Sequence, residues 1–319
     1  MMIINLRKKL TQLTPLLLLL SLSPALYADA QLDEQLLDVA ASGTQAQLQM
    51  LIEKGANIDA PGKFGKRSLM FAAEAGHVDM VAVLLSYGAE VNARMRTGET
   101  ALTMAVEAGH SEVTALLIEM GANVHDRTRT GLDSLMIAAR DGNANIVAQL
   151  LQFGADVRSS DQKGNSALMY AVLGEHVDVV DALFRYSNQV APCVPNNIGM
   201  TSLMVALTKG NQVIIEMLLK RSKNVDFQDN FGAAALHYAA QYNNARAAVY
   251  LVEKLGAKLD IQDADNATPL FYAAREGHSE VITYLLSKGA DKGITNRNGK
   301  RAAEVAQAAN KLKVVELLQ

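Results

Sequence analysis

The chain has 319 residues, 50% hydrophobic and 20% charged, with a formal net charge of −3 at pH 7. That balance argues against the strongly basic field of a nucleic-acid binder, and a single cysteine excludes an intramolecular disulfide. Few aromatics, no tryptophan and a predominance of alanine and leucine suit one elongated domain of close-packed short helices rather than several globular ones.

Residues 1–30 belong to a different class of segment from the rest. Arg7, Lys8 and Lys9 make a basic n-region, Leu16 to Leu22 an apolar h-region broken by one serine, and Ala28-Asp29-Ala30 a small-residue cleavage pattern. A membrane span needs about 20 mostly apolar residues, and Thr11, Gln12, Thr14, Pro15 and Pro24 interrupt the run. The segment is therefore expected to be a cleaved Sec-type signal peptide, with Ala30 the favoured cleavage point and Ala28 the other candidate. No cysteine follows the h-region, which speaks against lipid attachment, and Arg7-Lys8 is not a twin-arginine pair. Removal of residues 1–30 takes away three bases and one acid, so the formal charge becomes about −5. The mature product is expected in the periplasm or the medium, without stable membrane insertion.

From residue 31 onward a pattern recurs. Leu36, Leu69, Leu102, Leu135 and Leu168 stand 33 residues apart, followed after small insertions by Leu203, Leu236 and Leu270, with Ala303 in the last place. A period this strict marks a repeat architecture. Each unit reads as a short helix carrying a leucine and paired alanines, a glycine, a longer apolar helix, then Gly-Ala and a polar loop. Around Leu69, for instance, Leu69, Ala72 and Ala73 share one face of the first helix, and Val81, Leu84 and Leu85 one face of the second. Neither helix can bury its face alone, so units must stack. The expected fold class is an all-α repeat solenoid of helix-turn-helix units joined by hairpin-like loops. Residues 31–319 would hold about nine units, of which the first, lacking an opening turn, and the last, from Asn298, are caps.

The helix openings TALT at 100–103, SALM at 166–169 and TPLF at 268–271 carry a family signature. So do GHVDM at 76–80, GHSEV at 109–113 and 277–281, and the unit ends GAEVNA, GANVHD and GADVRS. In these the chain resembles the ankyrin repeat family over roughly residues 33–319. Thr100, Asp133, Ser166, Thr201 and Thr268 stand where a side-chain oxygen caps the first helix, with Pro269 at a first helical position. Gly43, Gly76, Gly109, Gly142, Gly210 and Gly277, with Asn243 and Asn310, occupy the left-handed position at its end. Glu175 breaks this rule beside Gly174, and local distortion is expected there.

Motifs for chemistry are scarce. There is no HExxH, paired-cysteine zinc motif, P-loop or G-x-S-x-G elbow, and the GKFGKRS run at 62–68 has the wrong glycine spacing to cradle phosphate. No enzymatic activity, cofactor or metal is expected; the polar trio Glu107, Arg140 and Asp141 comes closest to a convergent site. The resemblance implies a structural role for His77, His110 and His278. His125 lies in a loop, His176 beside Glu175, and His237 at the position of the consensus TPLH histidine. Met70, Met136, Met169 and Met204 take that same position in other units, where they would fill the core or confer oxidation sensitivity. Cys193 lies in Pro-Cys-Val-Pro, where the step from Leu168 to Leu203 is 35, and Ser187 replaces an expected glycine. The readings are tolerated loop variation, a partner-specific contact or an intermolecular disulfide. An extra residue near Leu255 is expected to lengthen its helix.

The resemblance implies protein binding through loop tips and the concave face of the first helices. One position per first helix would project toward that face: Phe71, Met104, Ile137, Tyr170, Val205, Tyr238 and Tyr272. These either form an apolar groove or pack against neighbouring units. The earlier tips carry Lys63, Lys66, Arg67, Arg94, Arg96, Arg127, Arg129, Arg158 and Lys163; those at 226–233 and 260–267 carry Asp226, Asp229, Asp260, Asp263 and Asp265 and no base. Separate basic and acidic patches of this kind would steer a complementary partner; ordinary solvated turns are the other reading. The expected function is that of an exported, non-catalytic protein-binding module. Among the roles the resemblance permits are an accessory factor for an envelope enzyme, including oxidative-stress defence, an immunity protein against a periplasmic toxin, and a host-directed effector. A small-ligand binder or enzyme, or a self-assembling structural protein, are the alternatives.

Overall fold

The computed structural model describes residues 24–319, with side chains from residue 30 onward; the basic and apolar parts of the expected signal peptide lie outside the described residues. The described chain forms eighteen helices in nine consecutive pairs and no named strand, an all-α repeat solenoid. Its contacts divide it into two compact units, one ending at Asn123 and one beginning at Val124.

The first unit holds α1 (Pro24–Ser42), α2 (Gln45–Glu53), α3 (Ser68–Ala75), α4 (Val78–Ser86), α5 (Ala101–Glu107) and α6 (Ser111–Glu119). Leu69, Ala72 and Ala73 of α3 and Val81, Leu84 and Leu85 of α4 are all buried, as their 3.6-residue spacing requires. The alanines let backbones approach closely, so α3 packs between α1 and α5, while α4 packs between α2 and α6.

The second unit holds α7 (Ser134–Arg140), α8 (Ala144–Gln152), α9 (Ala167–Leu173), α10 (Val177–Tyr186), α11 (Ser202–Lys209) and α12 (Gln212–Leu219). It continues with α13 (Ala235–Gln241), α14 (Ala245–Glu253), α15 (Pro269–Glu276), α16 (Ser279–Ser287), α17 (Ala302–Ala308) and α18 (Leu312–Leu318). Here too first helices stack on first helices and second on second. Between pairs run tight hairpin-like loops, with isolated antiparallel bridges at Arg127–Asp133 and Ser160–Ser166.

Capping follows the sequence with one exception. The side chains of Thr100, Asp133, Ser166 and Thr201 each accept the backbone N–H three residues on. Thr268 makes no such bond, and among the described residues its buried hydroxyl has no hydrogen-bond partner, although Pro269 does occupy the first turn. The N-cap's own N–H is met by the side chain three residues later: Thr103 Oγ1 at 2.8 Å, His237 Nδ1 at 3.0 Å, and Met204 Sδ at 3.4 Å. A weak sulfur acceptor thus stands in for an imidazole. Met70, Met136, Met169 and Met204 are all buried, in keeping with a packing role.

At the left-handed position Gly76, Gly109, Gly142, Gly210, Gly277, Asn243 and Asn310 have positive φ, whereas Gly43 does not. Glu175 takes the position itself at φ 58°, while Gly174 stays right-handed. The distortion does not spread beyond Glu175: His176 N–H reaches the Ala171 carbonyl at 2.9 Å, matching His110 to Ala105 at 2.9 Å. The strain is confined to one residue. The extra residue near Leu255 does not lengthen α14, which has nine residues like α16. It widens the exit turn instead, so that Ala257 N–H bonds back to Leu251, six residues away, where Ala290 reaches Leu285, five away.

Candidate protein-binding surface

The loop tips are built as a ribbon. In the second unit the residue just before each turn carries a carbonyl that accepts an N–H from the next tip. Asn197 N–H meets Lys163 O at 3.0 Å, Asn230 meets Ile198 at 3.0 Å, and Ala264 meets Phe231 at 2.9 Å. Within the first unit Arg96 N–H meets Phe64 O at 3.0 Å in the same register. The tips are therefore held side by side by backbone bonds. Phe64 is 59% exposed, Ile198 52% and Phe231 73%. These three residues were not among the sequence candidates. The signal was present, an apolar residue immediately before the turn glycine at Gly65, Gly199 and Gly232.

Beneath the tips, a carboxylate ties each of three loops to its helix. Asp229 Oδ1 accepts Phe231 N–H at 2.8 Å and Ala233 N–H at 2.9 Å, while Oδ2 accepts the Tyr238 hydroxyl at 2.5 Å. Asp263 does the same with Asp265, Ala267 and Tyr272, and Asp161 with Lys163, Asn165 and Tyr170. Where the loop residue is Asn196 the tyrosine is replaced by Val205, so the phenol occurs where there is a charged oxygen for it. Burial, then the bond to the carboxylate, pushes the Tyr170 phenol up to about 12 and raises those of Tyr238 and Tyr272 further.

These facts revise the apolar column. Ile137 and Val205 are buried, at 3% and 5% exposure, and pack inside the second unit instead of presenting a contact face. Tyr170, Tyr238 and Tyr272 are half-buried with their hydroxyls engaged, and Phe71 and Met104 of the first unit are half-buried as well. The lysine ammonium of Lys66 lies 4.3 Å from the Phe71 ring centre.

The basic candidates are also largely engaged within the chain. Lys66 pairs with Glu74, and Arg67 with Asp59 at 3.2 Å and Glu90 at 2.6 Å. Arg127 donates to the Ser160 carbonyl at 2.7 Å and Arg158 pairs with Asp156 at 3.4 Å. Arg94, Arg96 and Arg129 also have partners, and Lys63 sits 5.4 Å from the Phe64 ring. On the acidic side, Asp229 is buried in its loop and Asp265 pairs with Arg297 at 3.0 Å. Asp226 and Asp260 accept Lys258 and Asp291 N–H groups at 3.2 and 3.0 Å. Charge here serves loop geometry first.

Four of the histidines, His110, His176, His237 and His278, act as struts between pairs. Nε2 of His110 lies 3.0 Å from Glu74 O, that of His176 2.9 Å from Arg140 O, and that of His278 2.9 Å from Gln241 O. His237 is fully buried, its Nδ1 accepting Ala234 N–H and its Nε2 3.1 Å from Ala267 O, edge-on to the Tyr272 ring. Arg140 is paired through both Nε and Nη2 with Asp141. Among the described residues no group of three or more His, Cys, Asp or Glu is placed to hold a metal ion, and no helix is long and apolar enough to cross a membrane.

Stacked helix pairs joined by exposed turns define the class: an all-α repeat protein. The family model described as Ankyrin repeats (3 copies) matches residues 36–128, 121–193, 188–263, 214–296 and 255–319. The chain belongs to the ankyrin repeat family, whose members are typically non-catalytic protein–protein interaction modules. No curated protein matches the chain.

Proposed function

We propose that this is an exported, non-catalytic binding module that recognises a protein partner in the periplasm or beyond the cell, as an accessory or immunity factor of a bacterial envelope. The observation that carries the binding role is the pair Ile198 and Phe231, exposed on adjacent tips whose backbones are bonded together. Exposed aromatic and aliphatic side chains on a pre-ordered backbone are suited to act as anchors, because little ordering entropy remains to be lost on association. Export is supported by the basic, apolar and small-residue succession of residues 7–30.

Two measurements test this reading. The chain from residue 31 onward, immobilised in an envelope extract of its own host, is compared with a variant carrying Ile198→Ser and Phe231→Ser. A protein retained by the first and lost by the second, at equal melting temperature, supports tip recognition; equal recovery from both sinks it. For export, the full chain is expressed in a Gram-negative host and its N-terminus determined by mass. A periplasmic product beginning at Gln31 or Asp29 supports it, and an intact N-terminus retained in the cytoplasm overturns it.

A further inference from the structure

The irregular loop after α10 makes a pocket of its own. Where Gly154 ends α8 left-handed at φ 87°, Ser187 ends α10 extended, at φ −145°. The chain therefore leaves the helix on a different course, and the two inserted residues carry Asn188–Val194 alongside the loop from Arg221 to Phe227. Between them lies a cavity of about 410 Å³. Its apolar walls include Val190, Pro192, Val194 and Phe227, of which Val194 and Phe227 are 60% and 41% exposed. Arg221 and Lys223 supply the charge, and no aspartate or glutamate lines the cavity. Both bases are exposed, and among the described residues neither forms an ion pair; Arg221 rests its guanidinium 4.6 Å from the Phe184 ring. They differ in this from the tip bases Lys66, Arg67 and Arg158, which have carboxylates of their own.

We infer that this pocket is a second docking site, which takes a large apolar side chain of a partner protein flanked by carboxylates. It rests on the reading of the chain as a protein-binding module, but none of the tip residues Phe64, Ile198 and Phe231 lines it. The volume accommodates a phenylalanine or leucine side chain with adjoining backbone, at the lower end of the usual range for ligand sites. Two bases without acids at an apolar cavity favour an anionic visitor and disfavour a cationic one. Because the exposed residues Val194 and Phe227 border the cavity, covering them takes a polypeptide segment rather than a small anion.

The single cysteine, Cys193, lines the same cavity and reports its occupancy. The full mature chain is alkylated with neutral iodoacetamide in the presence of acetyl-Glu-Glu-Phe-Glu-Glu-amide, and the rate is followed by intact mass. At a peptide concentration about four times its Kd the rate should fall about fivefold, by mass action. The same peptide with alanine in place of phenylalanine, or with lysines in place of the glutamates, should protect weakly or not at all, and Arg221→Glu with Lys223→Glu should abolish protection. Amide shifts of Val190, Val194 and Phe227 on peptide addition provide a second readout independent of thiol reactivity. Absence of both protection and shifts at millimolar peptide, or equal effects from the lysine peptide, overturns the proposal. Since only defined peptides are used, that failure leaves the tip surface untouched.

Discussion

His237 is held neutral by geometry: Nδ1 accepts the Ala234 N–H, so the proton sits on Nε2, which donates to Ala267 O. Burial lowers its affinity for a second proton, outweighing the nearby Asp263 and Asp229. Its folded-state pKa therefore lies below the unfolded value of about 6.5, so its contribution is complete above that value and lost as pH falls through it. Denaturant midpoints should drop between pH 8 and pH 5, and His237→Leu should be less stable at pH 8 yet flatter with pH. The three Asp-bound phenols have the opposite sign. Their folded values are raised, so their contribution is whole below about 10 and declines at higher pH. Spectrophotometric titration should find Tyr170 ionising near 12, well above the ordinary phenol value of about 10. Backbone strain is equally local. Glu175→Gly should raise stability by about 1 kcal/mol, because glycine adopts φ 58° without a Cβ penalty. Gly142→Ala should be more costly than a simple helix-end change, since the added Cβ would stand 2.8 Å from the His176 ring.

At the scale of the helix pair, capping and turn exit were legible in the sequence because they depend on neighbours three to six residues away. Thr201 does what its position suggests, so Thr201→Val should cost about 1 kcal/mol. Thr268 occupies the same position with its hydroxyl unpartnered among the described residues, and Thr268→Val should be neutral within about 0.5 kcal/mol. Thermal denaturation of the two variants side by side checks this; equal losses would mean Thr268 caps in solution. The extra residue before Gly256 was legible as an insertion, but not its destination. Helix length is set by the packed face of α14 against α12 and α16, which nine residues already complete, so the addition went to the turn. The same holds for Ser187, where a missing glycine sent the chain off the repeat path.

Across the molecule, stability in such stacks is close to a sum over neighbouring interfaces. Leu236 is buried, and Leu236→Ala should cost about 2 to 5 kcal/mol. Hydrogen exchange should show the loss first in α13 and its neighbours α11 and α15, with α3 to α6 of the other compact unit retaining protection; a uniform loss over all helices would contradict it. The 33-residue period, the paired alanines and the left-handed positions determined the fold by themselves, because each states a local need that only stacking satisfies. They also determined the family and the place of the regular loops. The availability of side chains at those loops was decided by tertiary structure alone. Ile137 and Val205 vanished into the stack, and bases that look free in sequence found carboxylates or carbonyls in their own and neighbouring repeats. Exposure left the apolar tips Phe64, Ile198 and Phe231 in view instead. Burial and pairing depend on the particular residues met at separations from two, as for Arg158 and Asp156, to 33, as for Arg127 and Ser160, and a repeat pattern, which records only what each unit shares with the next, carries no account of them.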